Sequence, residues 1–98
     1  MRRRYLVAYD VSDPKRLRRV FRAMNGFGDA VQYSVFLCDL ADAERELLQQ
    51  RLTQLLHLRE DRVLIVNLGP ADGRSTSALE VLGRQLDVMP EDYRAFIV

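Results

Sequence analysis

Four consecutive apolar residues, Leu6 to Tyr9, run straight into a carboxylate, Asp10, and then into the turn-prone Ser12-Asp13-Pro14. Such a run is expected of a strand buried on both faces in mid-sheet, here residues 5–10. Asp10 falls where that strand leaves the core. A charge there costs little if solvated and becomes useful if a cation or proton sits on it. The plainer reading is that Asp10 only helps to start the next helix, as short polar residues in turns commonly do. Either way, the chain must fold into something that hides the strand.

The next segment supplies cover. Asp13 is a good N-cap and Pro14 a good first helical residue, which predicts a helix over 14–24. Leu17, Val20, Phe21 and Met24 follow the i, i+3, i+4, i+7 spacing of a buried stripe. Lys15, Arg16, Arg18, Arg19 and Arg22 fall on the other side, within about 160° of arc. No acid lies among them, whereas solvated helix faces normally mix signs, so the spacing favours an anionic partner. The formal net charge of +1 conceals this asymmetry. Residues 1–24 carry eight basic and two acidic side chains, and the remainder seven and twelve. A polyanion responds to the local sign. Only Lys15 among the fifteen basic residues is lysine. That bias suits bidentate phosphate contacts, although a GC-rich genome produces it too.

Asn25-Gly26-Phe27-Gly28-Asp29 is expected to stop the helix, with Gly26 as a left-handed cap. Residues 31–38 are β-branched and aromatic and predict strand, with a change of pattern at Tyr33-Ser34 that marks a bend or two short strands. A second helix is expected over 43–58, with Leu48, Leu52, Leu55 and Leu56 as its core stripe and His57 in its last turn. His57 has no Cys, Ser or second His nearby and reads as a surface residue. Residues 63–68 form a second central-looking strand, 69–77 a Gly/Ser/Asp-rich loop. A short strand over 78–82 and an apolar, strand-like tail over 93–98 complete the chain. This order predicts one α+β domain, 1–98: a ferredoxin-like split βαβ sandwich, an antiparallel sheet with helices on one face. The open sheet face, the surplus terminal strand and the unpaired edge point to a homodimer.

Several function classes drop out. No apolar run approaches the roughly 20 residues needed to cross a bilayer, and the stretch after Arg2-Arg3-Arg4 is too short for a signal peptide. A single cysteine, Cys38, excludes an intramolecular disulfide and fits a cytoplasmic protein. The phosphate-binding G-x-x-x-x-G-K-[ST] and G-x-G-x-x-G patterns are missing, as are Cys/His metal clusters and a Ser/His pair. One carboxylate per chain is a weak magnesium site, but two related by a molecular dyad would be a credible one. Two facing carboxylates raise one another's pKa, so occupancy should fall on acidification.

The apolar strand ending in Tyr9-Asp10, Asp13 opening a basic helix, the Gly26/Gly28 turn and Gln32-x-Ser34-Val35-Phe36 together resemble CRISPR-associated protein 2, the small universal member of the spacer-acquisition module. The motifs cover roughly the first 40 residues and the element order covers the whole chain. The resemblance implies a ferredoxin-like homodimer whose C-terminal strand joins the partner's sheet. It also implies a metal-dependent endonuclease acting on RNA or DNA, with Asp10 as catalytic residue and Mg2+ ligand. The family's other role is architectural: the dimer bridges two copies of the larger CRISPR integrase along the DNA to be inserted. Tyr9 would neighbour the site, Arg19 matches a frequently basic helix position, and Phe36 belongs to the segment near the dyad. Tyr9 and Phe36 serve equally well as packing. Ala30 departs from the pattern, standing where the family often has a basic residue, so the nuclease constellation is incomplete. In the scaffold reading Arg16, Arg18, Arg19 and Arg22, with Arg2 to Arg4, contact phosphates. The remaining alternative is a ferredoxin-like regulatory or toxin-type nucleic-acid-binding module unrelated to CRISPR.

Overall fold

Asp13 caps the first helix as its position demands: its carboxylate accepts the Arg16 backbone N–H at 2.9 Å, and Pro14 follows in the first turn. The computed structural model describes residues 1–72 and 79–84. In them the chain runs β1 (Arg3–Asp10), α1 (Pro14–Met24), β2 (Asp29–Gln32), β3 (Val35–Leu40), α2 (Asp42–Leu55) and β4 (Arg62–Pro70). The sheet order is β2-β3-β1-β4, and every neighbouring pair is antiparallel. This is the expected ferredoxin-like order, with β1 central and both helices on one face.

Alternation along β1 decides that face. Tyr5, Val7 and Tyr9 are buried with Phe36 and Cys38 of β3, Val20 and Met24 of α1, and Leu48 and Leu52 of α2. Each fully buried aliphatic side chain here is worth roughly 1.5–3 kcal/mol. Phe21, at the margin of the expected stripe, is 36% exposed and meets Phe36 edge-on at 5.6 Å. The 31–38 segment is two strands, paired with each other and turning at Tyr33-Ser34. Gly28 lies so close to β3 that an added Cβ would collide with the Leu37 carbonyl oxygen and, at 2.6 Å, with Cys38 Sγ. A bulge between Arg4 and Tyr5 shifts the β1–β4 register, and Gly69 beside it takes φ +103°.

The sequence misleads at five places. The first helix ends on Asn25 in the right-handed region, and Gly26 does not take the left-handed conformation expected of it. β1 is buried on one face only: Leu6 and Ala8 are half-buried on the other. β4, apolar enough for a central strand, is an edge strand among the described residues, and its Leu64 and Val66 are exposed. Both strand departures lie on the same apolar sheet face, which no helix among the described residues covers. The second helix stops at Leu55 rather than residue 58, since Leu56 is extended, so His57 lies in the following turn and not in the helix. Of residues 78–82, 79–82 contain only an isolated bridge at Val81. Residue 78, most of the 69–77 loop and the 93–98 tail lie outside the described residues.

Candidate functional site

Asp10 ends β1 on the helix-free face, where its cross-strand neighbour is Arg62 of β4. It is exposed, and its side chain makes no hydrogen bond or ion pair among the described residues. The shallow hollow around it is lined by Ala8, Tyr9, Asp10, Arg62 and Leu64. No group of three or more His, Cys, Asp or Glu side chains that could hold a metal occurs among the described residues. One subunit therefore offers a single carboxylate. That donor set fits magnesium only as part of a site completed from elsewhere, since magnesium commonly takes one or two carboxylates and keeps its waters.

Tyr9 points the other way. Its side chain is buried on the helix side, stacked on Phe36 with ring centroids 6.2 Å apart. Burial first, and Tyr33 second, push its phenol up to about 12. Phe36 is fully buried. Both residues are core side chains within the subunit; Tyr9 adjoins Asp10 in sequence, whereas Phe36 lies across from Val7.

The basic face of α1 divides. Lys15, Arg18, Arg19 and Arg22 are exposed and line one surface furrow together, and no ion pair engages them among the described residues. Arg16 stands apart from them. Its Nε and Nη2 donate to the two Asp61 oxygens at 2.8 and 3.1 Å, and Nη2 also reaches Glu60 at 3.1 Å. Asp61, whose side chain is fully shielded from solvent, further accepts the backbone N–H groups of His57 at 2.8 Å and Ser12 at 3.1 Å. The Arg16 bond, ahead of these backbone donors, holds its carboxyl well below the usual range against the opposing effect of burial. Arg16 is thus the pin between the start of α1 and the turn before β4. Sequence reasoning grouped it with its neighbours because the acids that bind it lie more than 40 positions away.

The amino-terminal arginines are engaged as well. Arg2 pairs with Glu44 and also donates to the Asp39 carbonyl; Arg3 pairs with Asp42 at 3.0 Å. Arg4, 4% exposed, forks onto both Asp39 oxygens at 2.7 and 2.9 Å. Arg4 is thereby taken up inside the subunit, while Arg2 and Arg3 stay at the surface beside their acids. Arg62 is the residue that the sequence did not single out. Only the β1–β4 register, which is not visible before pairing is known, brings it beside Asp10.

A family model described as CRISPR associated protein Cas2 matches residues 1–75. The chain belongs to the CRISPR-associated Cas2 family. One relative, named CRISPR-associated endoribonuclease Cas2 1 of Rhodospirillum rubrum, is 42% identical over 85 residues, 87% of this chain and 82% of its own. Another, CRISPR-associated endoribonuclease Cas2 2 of Thermodesulfovibrio yellowstonii, is 48% identical over 68 residues, 69% of this chain and 75% of its own. The crystal structure of Streptococcus pyogenes Cas2 at pH 6.5 superposes with a TM-score of 0.71 at 35% identity, covering 82% of this chain and 99% of that one. The resemblance carried by Tyr9-Asp10 and Gln32-x-Ser34-Val35-Phe36 therefore holds, and the module outside CRISPR has no support. No helix among the described residues is long and apolar enough to cross a membrane.

Proposed function

We propose that the chain acts in spacer acquisition, in the cytoplasm, as a homodimeric nucleic-acid-binding scaffold that bridges two copies of the larger CRISPR integrase. The observation that carries this reading is the α1 furrow, where Lys15, Arg18, Arg19 and Arg22 stand together, the three arginines without an ion pair among the described residues and Lys15 feeling only the nearby Asp13. Such a surface binds phosphates regardless of sequence and weakens with salt. The dimer is supported by the apolar sheet face, on which Leu64 is 57% and Val66 46% exposed. Exchange of the C-terminal strand belongs to the same reading and rests on the apolar sequence of residues 93–98. Replacing Arg18, Arg19 and Arg22 with Gln should lower duplex affinity at least tenfold at low salt and flatten the salt slope by about 0.9 for each phosphate no longer neutralised. Unchanged affinity and slope in fluorescence anisotropy would refute the scaffold.

Asp10 and the names of the relatives favour a second activity, Mg2+-dependent cleavage of RNA or DNA. Two Asp10 carboxylates brought together by the dimer would hold the ion, and Arg62 would hold a phosphate oxygen beside them. The chemistry magnesium supplies when bound there is stabilisation of the charge that gathers on the scissile phosphate. Asp10→Asn keeps the size and removes the charge. Cleavage of short RNA and DNA in magnesium should fall by roughly a hundredfold or more. A pure variant dimer that cuts as fast as wild type rules the nuclease out. Undiminished spacer acquisition in cells carrying the variant would leave the scaffold as the cellular role.

A further inference from the structure

Between α1 and the β2–β3 turn lies a cavity of about 360 Å³ that the Asp10 site does not use. Leu17, Phe21 and Tyr9 give it an apolar lining, and Tyr33, Asn25 and the guanidinium-bearing Arg18 and Arg22 complete the wall. Tyr33 is 74% exposed, an aromatic ring standing in solvent at a turn. Among the described residues, no acidic one lines the cavity.

A second observation points to a ligand. Tyr9 is only 6% exposed, and its hydroxyl is buried with no hydrogen-bond partner among the described residues. Buried polar groups are rarely left so, because the lost hydration is not recovered. Tyr9 lines the cavity, and its hydroxyl lies covered beside it, so an acceptor that displaces the covering side chains would satisfy it. With its phenol pushed up to about 12, the hydroxyl keeps its proton and offers a donor.

The lining asks for an aromatic face, an acceptor edge and an adjacent negative charge. A nucleotide carries all three, and the volume lies at the lower end of the roughly 300–1,000 Å³ that holds small ligands. Arg18 and Arg22 also belong to the furrow with Lys15 and Arg19, so a strand lying on α1 passes this cavity. Paired bases are held in the duplex stack, and only an unpaired one enters such a pocket cheaply. We propose that the cavity takes one unpaired base of a single-stranded or overhanging nucleic acid whose phosphates lie on the α1 arginines. The inference rests on the nucleic-acid-binding reading above and adds to it a preference for unpaired ends.

The experiment compares wild type, Tyr33→Ala and Tyr9→Phe against three probes at low salt: a single strand with 2-aminopurine, a duplex with 2-aminopurine in its overhang, and a blunt duplex. Tyr9→Phe deletes only the orphan oxygen, so the free variant should melt at the wild-type temperature or above it. Binding to wild type should quench 2-aminopurine. Single-strand affinity should fall roughly tenfold in Tyr33→Ala and severalfold in Tyr9→Phe, with blunt-duplex affinity unchanged in both. Equal single-strand affinity in all three proteins, absence of quenching, or an equal loss for strand and blunt duplex overturns the pocket while leaving the phosphate track standing. Occupation of the cavity by an apolar side chain of another protein would produce the first two of these results. A wild type that binds none of the probes overturns both readings together.

Discussion

Asp61 holds together more of the subunit than any other carboxylate among the described residues. It receives both arms of Arg16 together with the backbone N–H groups of Ser12 and His57, so one shielded side chain ties α1, the β1–α1 turn and the 57–61 turn together. Removing it would leave those donors unpaired, and Asp61→Ala should lower the melting temperature on the order of 10 °C. The pH dependence follows from the depressed carboxyl. Its stabilisation is complete above the unfolded-state value of about 3.9 and is lost as pH falls from there toward the lower folded-state value. Melting curves of wild type should therefore steepen downward below about pH 4, and those of Asp61→Asn should flatten over the same window. Parallel curves would mean that Asp61 is not charged in the folded protein as its partners require. Cys38 shows the opposite case: burial, then Asp39 and Asp29, push its thiol up to about 12, which leaves it a packing residue.

Among the elements, α1 was legible almost completely, because an N-cap, a proline and a four-residue apolar stripe all act within one turn of their neighbours. The β2–β3 hairpin was half legible: the pattern change at Tyr33-Ser34 showed, but not that two strands pair across it, nor the close approach of Gly28 to Leu37 and Cys38. That approach makes a prediction at the same scale. Gly28→Ala must push β3 or the preceding turn away, and should destabilise the fold by roughly 1–3 kcal/mol in urea unfolding. An unchanged midpoint would mean that the turn yields freely. Two site features were not legible for a common reason. The Arg16–Asp61 pin and the Asp10–Arg62 pairing join residues 45 and 52 positions apart, and the spacing of charges along the chain carries no trace of either. The end of α2 was misplaced because the apolar run continues through Leu55, Leu56 and Leu58 after the helix has stopped.

At the scale of the whole molecule, the chain is two-sided. One sheet face is closed by the helices; the other presents Leu6, Ala8, Leu64 and Val66, with Asp10 and Arg62 at its end. A continuous apolar run such as Leu6 to Tyr9 reads as buried on both faces, and in a dimer joined through this face it would be. The sequence would then describe the assembly rather than the single subunit. Such a dimer would place two Asp10 tips near one axis, flanked by two cationic α1 furrows, and a divalent ion would be shared rather than held by each chain. The most direct check is the number of Mn2+ ions bound per chain, read by electron paramagnetic resonance during titration of the purified protein near neutral pH. One ion per two chains, abolished in Asp10→Asn, is expected; one ion per chain, or binding that survives Asp10→Asn, would show that the two carboxylates do not meet.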